Sequence, residues 1–170
     1  GRGGDDPVLV KSNFPTWGSS EPLQEGHWLR LGISGVLNGY YFDVSRSKAI
    51  GPPSNRQIDL FEAAIASVEA GIEAVRVGAT AEQLAQAGLG KQEELGFEIK
   101  GVFSGLGHGI GLGWDSPWLA PGDATVLCPG MVLNFERTIT QDGFLGDFEE
   151  TVVVTEEGYD RLTDAQLRFW

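Results

Sequence analysis

The sequence predicts an α+β domain with a mostly antiparallel sheet. Three observations carry that expectation. Short β-rich blocks lie towards both ends of the 170-residue chain. Between them the apolar period changes to steps of three and four. Turn signals of the hairpin kind separate the blocks, which is the pattern of strands, then two helices, then strands again.

The elements follow in chain order. Gly1 to Asp6 is a Gly- and Asp-rich stretch expected to be a flexible lead-in, with the domain proper over 7–170. Val8 to Val10 reads as a short strand and Ser12 to Glu25 as a polar loop interrupted by Pro15, Gly18 and Pro22. His27 to Leu31 and Val36 to Asp43 are rich in β-branched and aromatic residues, flank Gly32 and Gly35, and enclose the turn pair Asn38-Gly39. Ser45 to Ile50 extends that block until Gly51-Pro52-Pro53 breaks it. Ile58, Phe61, Ile65, Val68, Ile72 and Val75 then mark one face of a helix over Gln57–Val77, with Asn55 as its N-cap and Gly78 as its stop. Thr80-Ala81-Glu82-Gln83 fits a capping box that opens a second helix over Ala81–Leu95, closed by Gly96. Beyond it lie the glycine-crowded stretch Gly101 to Gly113, a turn region at Pro117 to Pro121, and the apolar run Met131 to Phe135. Phe144 to Thr155 alternates and ends before the turn pair Glu157-Gly158.

Composition narrows the function. Acidic side chains outnumber basic ones 24 to 12, for a net charge of −12 and a pI near 4.4. Such a charge repels phosphate backbones and anionic lipid surfaces, so neither nucleic acid nor a membrane is an expected partner. Nine Phe, five Trp and three Tyr in a chain that is 41% hydrophobic can fill a core, which excludes a disordered chain. No apolar run approaches the roughly 20 residues of a membrane span. Cys128 is the only cysteine, so no internal disulfide forms and a cytoplasmic setting is expected.

The glycine-rich stretch does not read as a nucleotide loop. Ser104 to Gly113 contains no G-x-G-x-x-G frame and no Lys-Ser/Thr follows it. It does place His108 between Gly107 and Gly109, where missing Cβ atoms allow close approach to the imidazole. Asp43, Glu136 and Glu149 each lie in an apolar, strand-like block. A carboxylate there is costly to bury unless it is paired or coordinates a metal. One imidazole with hard oxygen ligands suits Mn²⁺, Fe²⁺, Co²⁺ or Zn²⁺ better than Ca²⁺ or Mg²⁺. Spacing alone leaves each of these carboxylates equally able to face solvent. Glu150, one residue out of phase with Glu149, is expected to do so.

Four blocks in order carry a resemblance: Gly39-Tyr40-Tyr41-Phe42-Asp43-Val44-Ser45-Arg46, Gly107-His108-Gly109-Ile110-Gly111-Leu112, Val132-Leu133-Asn134-Phe135-Glu136, and Glu149 to Tyr159, followed by Leu162-Thr163. Over roughly residues 7–165 the chain resembles the methionine aminopeptidase, prolidase and creatinase family, whose shared domain is the pita-bread fold: a curved, mostly antiparallel sheet covered by helices. The first helices of that fold have no counterpart in the sequence. The domain is therefore expected to be incomplete at its N-terminus, with an exposed apolar sheet face covered in a homo-oligomer or by a second chain supplying the missing portion.

The resemblance implies metal ligands at Asp43, His108, Glu136 and Glu149, with Glu136 and His108 as catalytic residues. It also implies departures from the family pattern. The fifth ligand, an Asp eleven residues before Asp43, is replaced by Gly32. The second family histidine, seven after His108, is Asp115, and the Glu after it is Ser116. Phe14 to Trp17 occupy the stretch of a further histidine, and Gly26-His27 stand in place of Gly-Asp. One divalent transition metal (Mn, Fe, Co or Zn), or none, is then the expected cofactor. Glu136 is the expected general base. Each lost oxyanion donor commonly costs about 10²–10³ in rate, so ordinary peptidase activity is not expected. Asp115 is assigned to a cationic substrate group, with Trp114 as a wall of its pocket. Trp118 is read as core, Arg46 and Thr151 as positions that support strand pairing or ligands, and His27 as a loop-edge residue. Three functions stay open: a single-metal hydrolase acting on a C–N bond of a small nitrogenous or peptide-like substrate, a metal-free hydrolase like creatinase or ectoine hydrolase, and a non-catalytic binding or assembly protein.

Overall fold

The computed structural model describes residues 2–3, 22–100, 104–141 and 144–168. The lead-in apart from Arg2–Gly3, the Val8 to Val10 strand, and the loop as far as Glu21 lie outside the described residues. Ten elements follow in order: β1 (Arg2–Gly3), β2 (Trp28–Leu37), β3 (Tyr40–Ala49), α1 (Asn55–Glu73), α2 (Ala81–Glu94), β4 (Gly107–Ile110), β5 (Trp114–Leu119), β6 (Val132–Gln141), β7 (Phe144–Thr155) and β8 (Gly158–Arg161). They form a three-stranded sheet, β1-β2-β3, and a five-stranded sheet, β5-β4-β6-β7-β8. Every strand pair is antiparallel.

The expected β2–β3 hairpin forms, but its strands run through Gly32 and Gly35 instead of breaking there. The turn explains the register: Asn38 (φ 52°) and Gly39 (φ 89°) both take left-handed backbone, as a tight two-residue hairpin requires. Pairing from Leu37↔Tyr40 to Trp28↔Ala49 then follows without a slip. Pro117 was expected in a turn and instead sits inside β5, an edge strand, where a residue without a backbone N–H is tolerated. The last hairpin turns at Glu156-Glu157, one residue earlier than expected.

The cap of α1 is Ser54 rather than Asn55. Its hydroxyl takes the Gln57 amide while the Gln57 side chain returns to the Ser54 N–H, a complete capping box. The helix stops at Glu73, short of Val77, because tertiary backbone bonds claim the next turn. Gly78 N donates to Leu127 O at 3.1 Å and Leu127 N to Ala79 O at 2.8 Å. The second helix matches expectation closely, with the Thr80/Gln83 capping box at one end and Gly96 at the other.

The core lies between these helices and the five-stranded sheet. Leu60, Phe61, Val68 and Ile72 of α1 meet Phe135, Phe148 and Val152, with Leu84 of α2 also fully buried. Each such side chain contributes about 1.5–3 kcal/mol of burial. On the hairpin, Leu31, Ile33, Leu37, Tyr40 and Phe42 are exposed.

The tightest helix–sheet contact is at Gly146 of β7, where an added Cβ would come within 2.2 Å of the Leu60 carbonyl oxygen. Gly146→Ala is expected to cost about 1–3 kcal/mol. Gly90→Ala, which meets nothing on the exposed side of α2, should instead gain about 0.5–1 kcal/mol. Urea denaturation of both variants checks the pair.

Candidate active site

Period-two alternation assembles the site. On β2, Arg30, Gly32 and Ser34 stand opposite Ser47, Ser45 and Asp43 of β3. On β6, Asn134, Glu136 and Thr138 stand opposite Thr151, Glu149 and Asp147 of β7. His108 of β4 pairs with Asn134 on the same surface. Side chains join the two sheets across these faces. Asn134 Nδ2 donates to the Asp43 carbonyl at 3.1 Å and to Thr151 Oγ1 at 3.0 Å. Thr151 Oγ1 reaches the same carbonyl at 3.3 Å.

Asp147, fully buried, is the hub. Its carboxylate accepts from Ser45 Oγ at 2.5 Å and from Thr138 Oγ1, and pairs with Arg30 Nε at 2.7 Å. Its carbonyl takes Ser47 Oγ at 2.8 Å. The Arg30 guanidinium lies against Gly32, where a Cβ would be 3.3 Å from Nη1. Burial works against the Arg30 charge, but Asp147, Glu136 and Glu149 outweigh it and hold its pKa above the ordinary value.

Glu136 and Glu149 are cross-strand partners that share a hydrogen bond. Burial, with Asp147, raises the Glu136 carboxyl, opposed by Arg30, His108 and the Glu149 bond. Burial, then the charges of Glu136, Asp43 and Asp147, pushes Glu149 up to about 9. Glu149 Oε1 is buried without a hydrogen-bond partner. Asp43, half-buried, takes Ser34 Oγ at 2.7 Å.

His108 is buried, with Nδ1 3.0 Å from the Gly109 carbonyl. Trp114 and Trp118 flank it with ring centroids at 6.0 and 5.9 Å. Trp118 is 44% exposed, not core, because β5 is an edge strand. Asp115 is exposed on that strand and accepts the Ser116 amide at 2.7 Å. The glycines beside His108 admit strand backbones: Cβ atoms at Gly107 and Gly109 would meet Asn134 O at 2.0 Å and Ser116 O at 2.6 Å.

Glu150 departs from expectation. It is buried and paired with Arg46, whose guanidinium lies 4.7 Å from the Phe148 ring centroid. Both faces of β7 are covered, by the hairpin on one side and α1 on the other, so alternation does not send either glutamate to solvent. His27 stands at a loop edge as expected, taking the Gln24 amide on Nδ1 at 3.1 Å.

The four expected ligands lie on facing strand surfaces, where the Glu136 carboxyl feels His108 and Glu149, and the Glu149 carboxyl feels Asp43. Imidazole and carboxylates, one with an unpartnered buried oxygen, are donors of the kind a divalent transition ion takes. The side chains do not form a closed cage as they stand: among the described residues no three His, Cys, Asp or Glu side chains form a group that could hold a metal ion. Sequence reasoning missed Arg30, Ser45, Ser47, Asn134 and Asp147. Only their shared parity with Asp43, Glu136 and Glu149 signalled them.

A curved antiparallel architecture with helices on one side and a carboxylate–histidine cleft on the other defines the class, a pita-bread domain. Comparison with known proteins agrees. The model of metallopeptidase family M24 matches residues 9–156, and the chain belongs to that family. It is 30% identical over 150 residues to an Xaa-Pro dipeptidase of Pyrococcus furiosus, covering 87% of this chain and 43% of that protein. It is 27% identical over 177 residues to an ectoine hydrolase of Halomonas elongata, covering 95% and 44%. The crystal structure of dipeptidase PepE from Mycobacterium ulcerans superposes with a TM-score of 0.83 at 31% identity, covering 92% of this chain and 43% of that one. The chain thus spans less than half the length of these relatives. Among the described residues no helix is long and apolar enough to cross a membrane.

The raised carboxyls set a pH dependence. A carboxyl lifted from 4.5 to about 9 in the fold stabilises it fully at low pH and loses that contribution as pH rises between the two values. In chelator-treated protein, Tm is expected to fall from about pH 5 to about pH 9, and Glu149→Gln should flatten that slope. Thermal unfolding across the range checks it.

Proposed function

We propose that this cleft is the centre of a hydrolase acting on a C–N bond of a small nitrogenous or peptide-like substrate, with at most one divalent transition ion. The observation that carries this reading is the cross-strand pair Glu136–Glu149 beside His108, with one buried Glu149 oxygen unpartnered. Family membership supports it, and two relatives are named for hydrolysis of dipeptides and of ectoine.

Asp43, His108, Glu136 and Glu149 would hold the ion. Bound there, it would supply Lewis-acid polarisation. The residues supply the rest. Glu136, its carboxyl raised above the ordinary value by burial, accepts a proton from the attacking water and returns it to the leaving nitrogen. His108 is held between two half-exposed indoles, which with Asp115 suit a substrate carrying a positive group. A carboxylate where the family pattern has a histidine cannot donate to a developing oxyanion, which argues against the ordinary peptidase reaction.

One observation favours a metal-free variant of the same reaction, in which His108, Glu136 and Glu149 grip the substrate directly. It is the lack of a three-donor group among the described residues.

Protein purified without chelator should carry at most one Mn, Fe, Co or Zn per chain, and no stoichiometric metal would rule out the single-ion form. Panels of guanidino, cyclic amidine and dipeptide substrates should reveal turnover. Glu136→Gln should lower kcat by about 10²–10⁴ with little change in KM. Unchanged turnover in that variant contradicts the assignment.

A further inference from the structure

The carboxylate cluster holds a cation of its own. Asp147 and Glu149 are buried and Glu136 is half-buried, and these three acids act together on one guanidinium, that of Arg30. Acids in such proximity require a proton, a metal ion or a basic side chain. Arg30 is placed to be that base by contacts specific to this chain. Its Nε is fixed on Asp147 at 2.7 Å, and Asp147 is itself held by Ser45 and Thr138. Its Nη1 packs against Gly32, where an added Cβ would be 3.3 Å away and a longer side chain would displace the guanidinium. The absence of a side chain at Gly32 and the presence of Arg30 are thus two halves of one arrangement.

We infer that Arg30 is a permanent cation built into the site, taking the place beside Glu136 and Glu149 that a second divalent ion would need, so that the cleft accepts one ion at most. The inference rests on reading the cleft as a carboxylate centre of the family type, and it does not depend on turnover. Arg30 is a positioning residue: anchored on Asp147, it faces Glu136 and Glu149 without touching the reacting atoms.

Mn²⁺ titration of the chelator-treated full chain, followed by calorimetry, tests this. Arg30→Met should bind Mn²⁺ at least 10-fold more tightly than wild type, and Arg30→Lys, which keeps the charge, should behave as wild type. Arg30→Met combined with Gly32→Asp should take up one more ion per chain than wild type. Folded Arg30→Met that binds Mn²⁺ no more tightly than wild type, with no added ion in the double variant, overturns the inference. Should Arg30→Met not fold, Gly32→Asp alone decides it. With Arg30 in place it should gain no ion, and a second bound ion would overturn the proposal. A wild-type chain without metal or turnover would remove the single-ion reading of the function and leave this comparison between variants intact.

Discussion

A fully buried aspartate ties this molecule together. Asp147 belongs to the five-stranded sheet, but its hydrogen bonds reach Ser45 and Ser47 on the hairpin and its ion pair reaches Arg30. Among the described residues the two sheets share no strand pairing, so apart from the backbone bond from Tyr41 N to Gly111 O it is side chains that hold the hairpin in place. A buried carboxylate left without partners costs several kcal/mol, which makes its bonds to Ser45, Thr138 and Arg30 mutually dependent. Asn134 and Thr151 repeat the device further along, both binding the Asp43 carbonyl. Asp43 reaches the cleft because of this seam.

The cleft inherits its chemistry from that construction. Strands brought together by acids and hydroxyls place Glu136 against Glu149 in a setting that disfavours charge on both. That state suits proton transfer or cation binding and is costly for stability, as expected where function competes with packing.

Much of the fold was legible because local and tertiary preferences agree. The Asn38-Gly39 turn, the Thr80/Gln83 capping box and the period of α1 each specify their element from neighbouring residues. The misses have a common cause in long-range contacts. Leu127 pulls the chain out of α1 before Val77, although the apolar period continues. Glu150 reads as solvent-facing until β7 is seen to be covered on both sides, with Arg46 supplied from a strand about a hundred residues earlier. Trp118 reads as core until β5 proves to be an edge. In the site, Asp43, His108, Glu136 and Glu149 stood out by their position in apolar blocks and by resemblance. Arg30 and Asp147 did not, since a lone arginine and a lone aspartate on strands carry no signal until the two sheets meet.

The most direct test of this account is amide hydrogen exchange on Asp147→Ala. If Asp147 is what fastens the hairpin, protection should be lost across Trp28–Ala49 while Leu60–Ile72 and Val132–Val152 stay protected. Unchanged protection in the hairpin, or a uniform loss through every element, would contradict it.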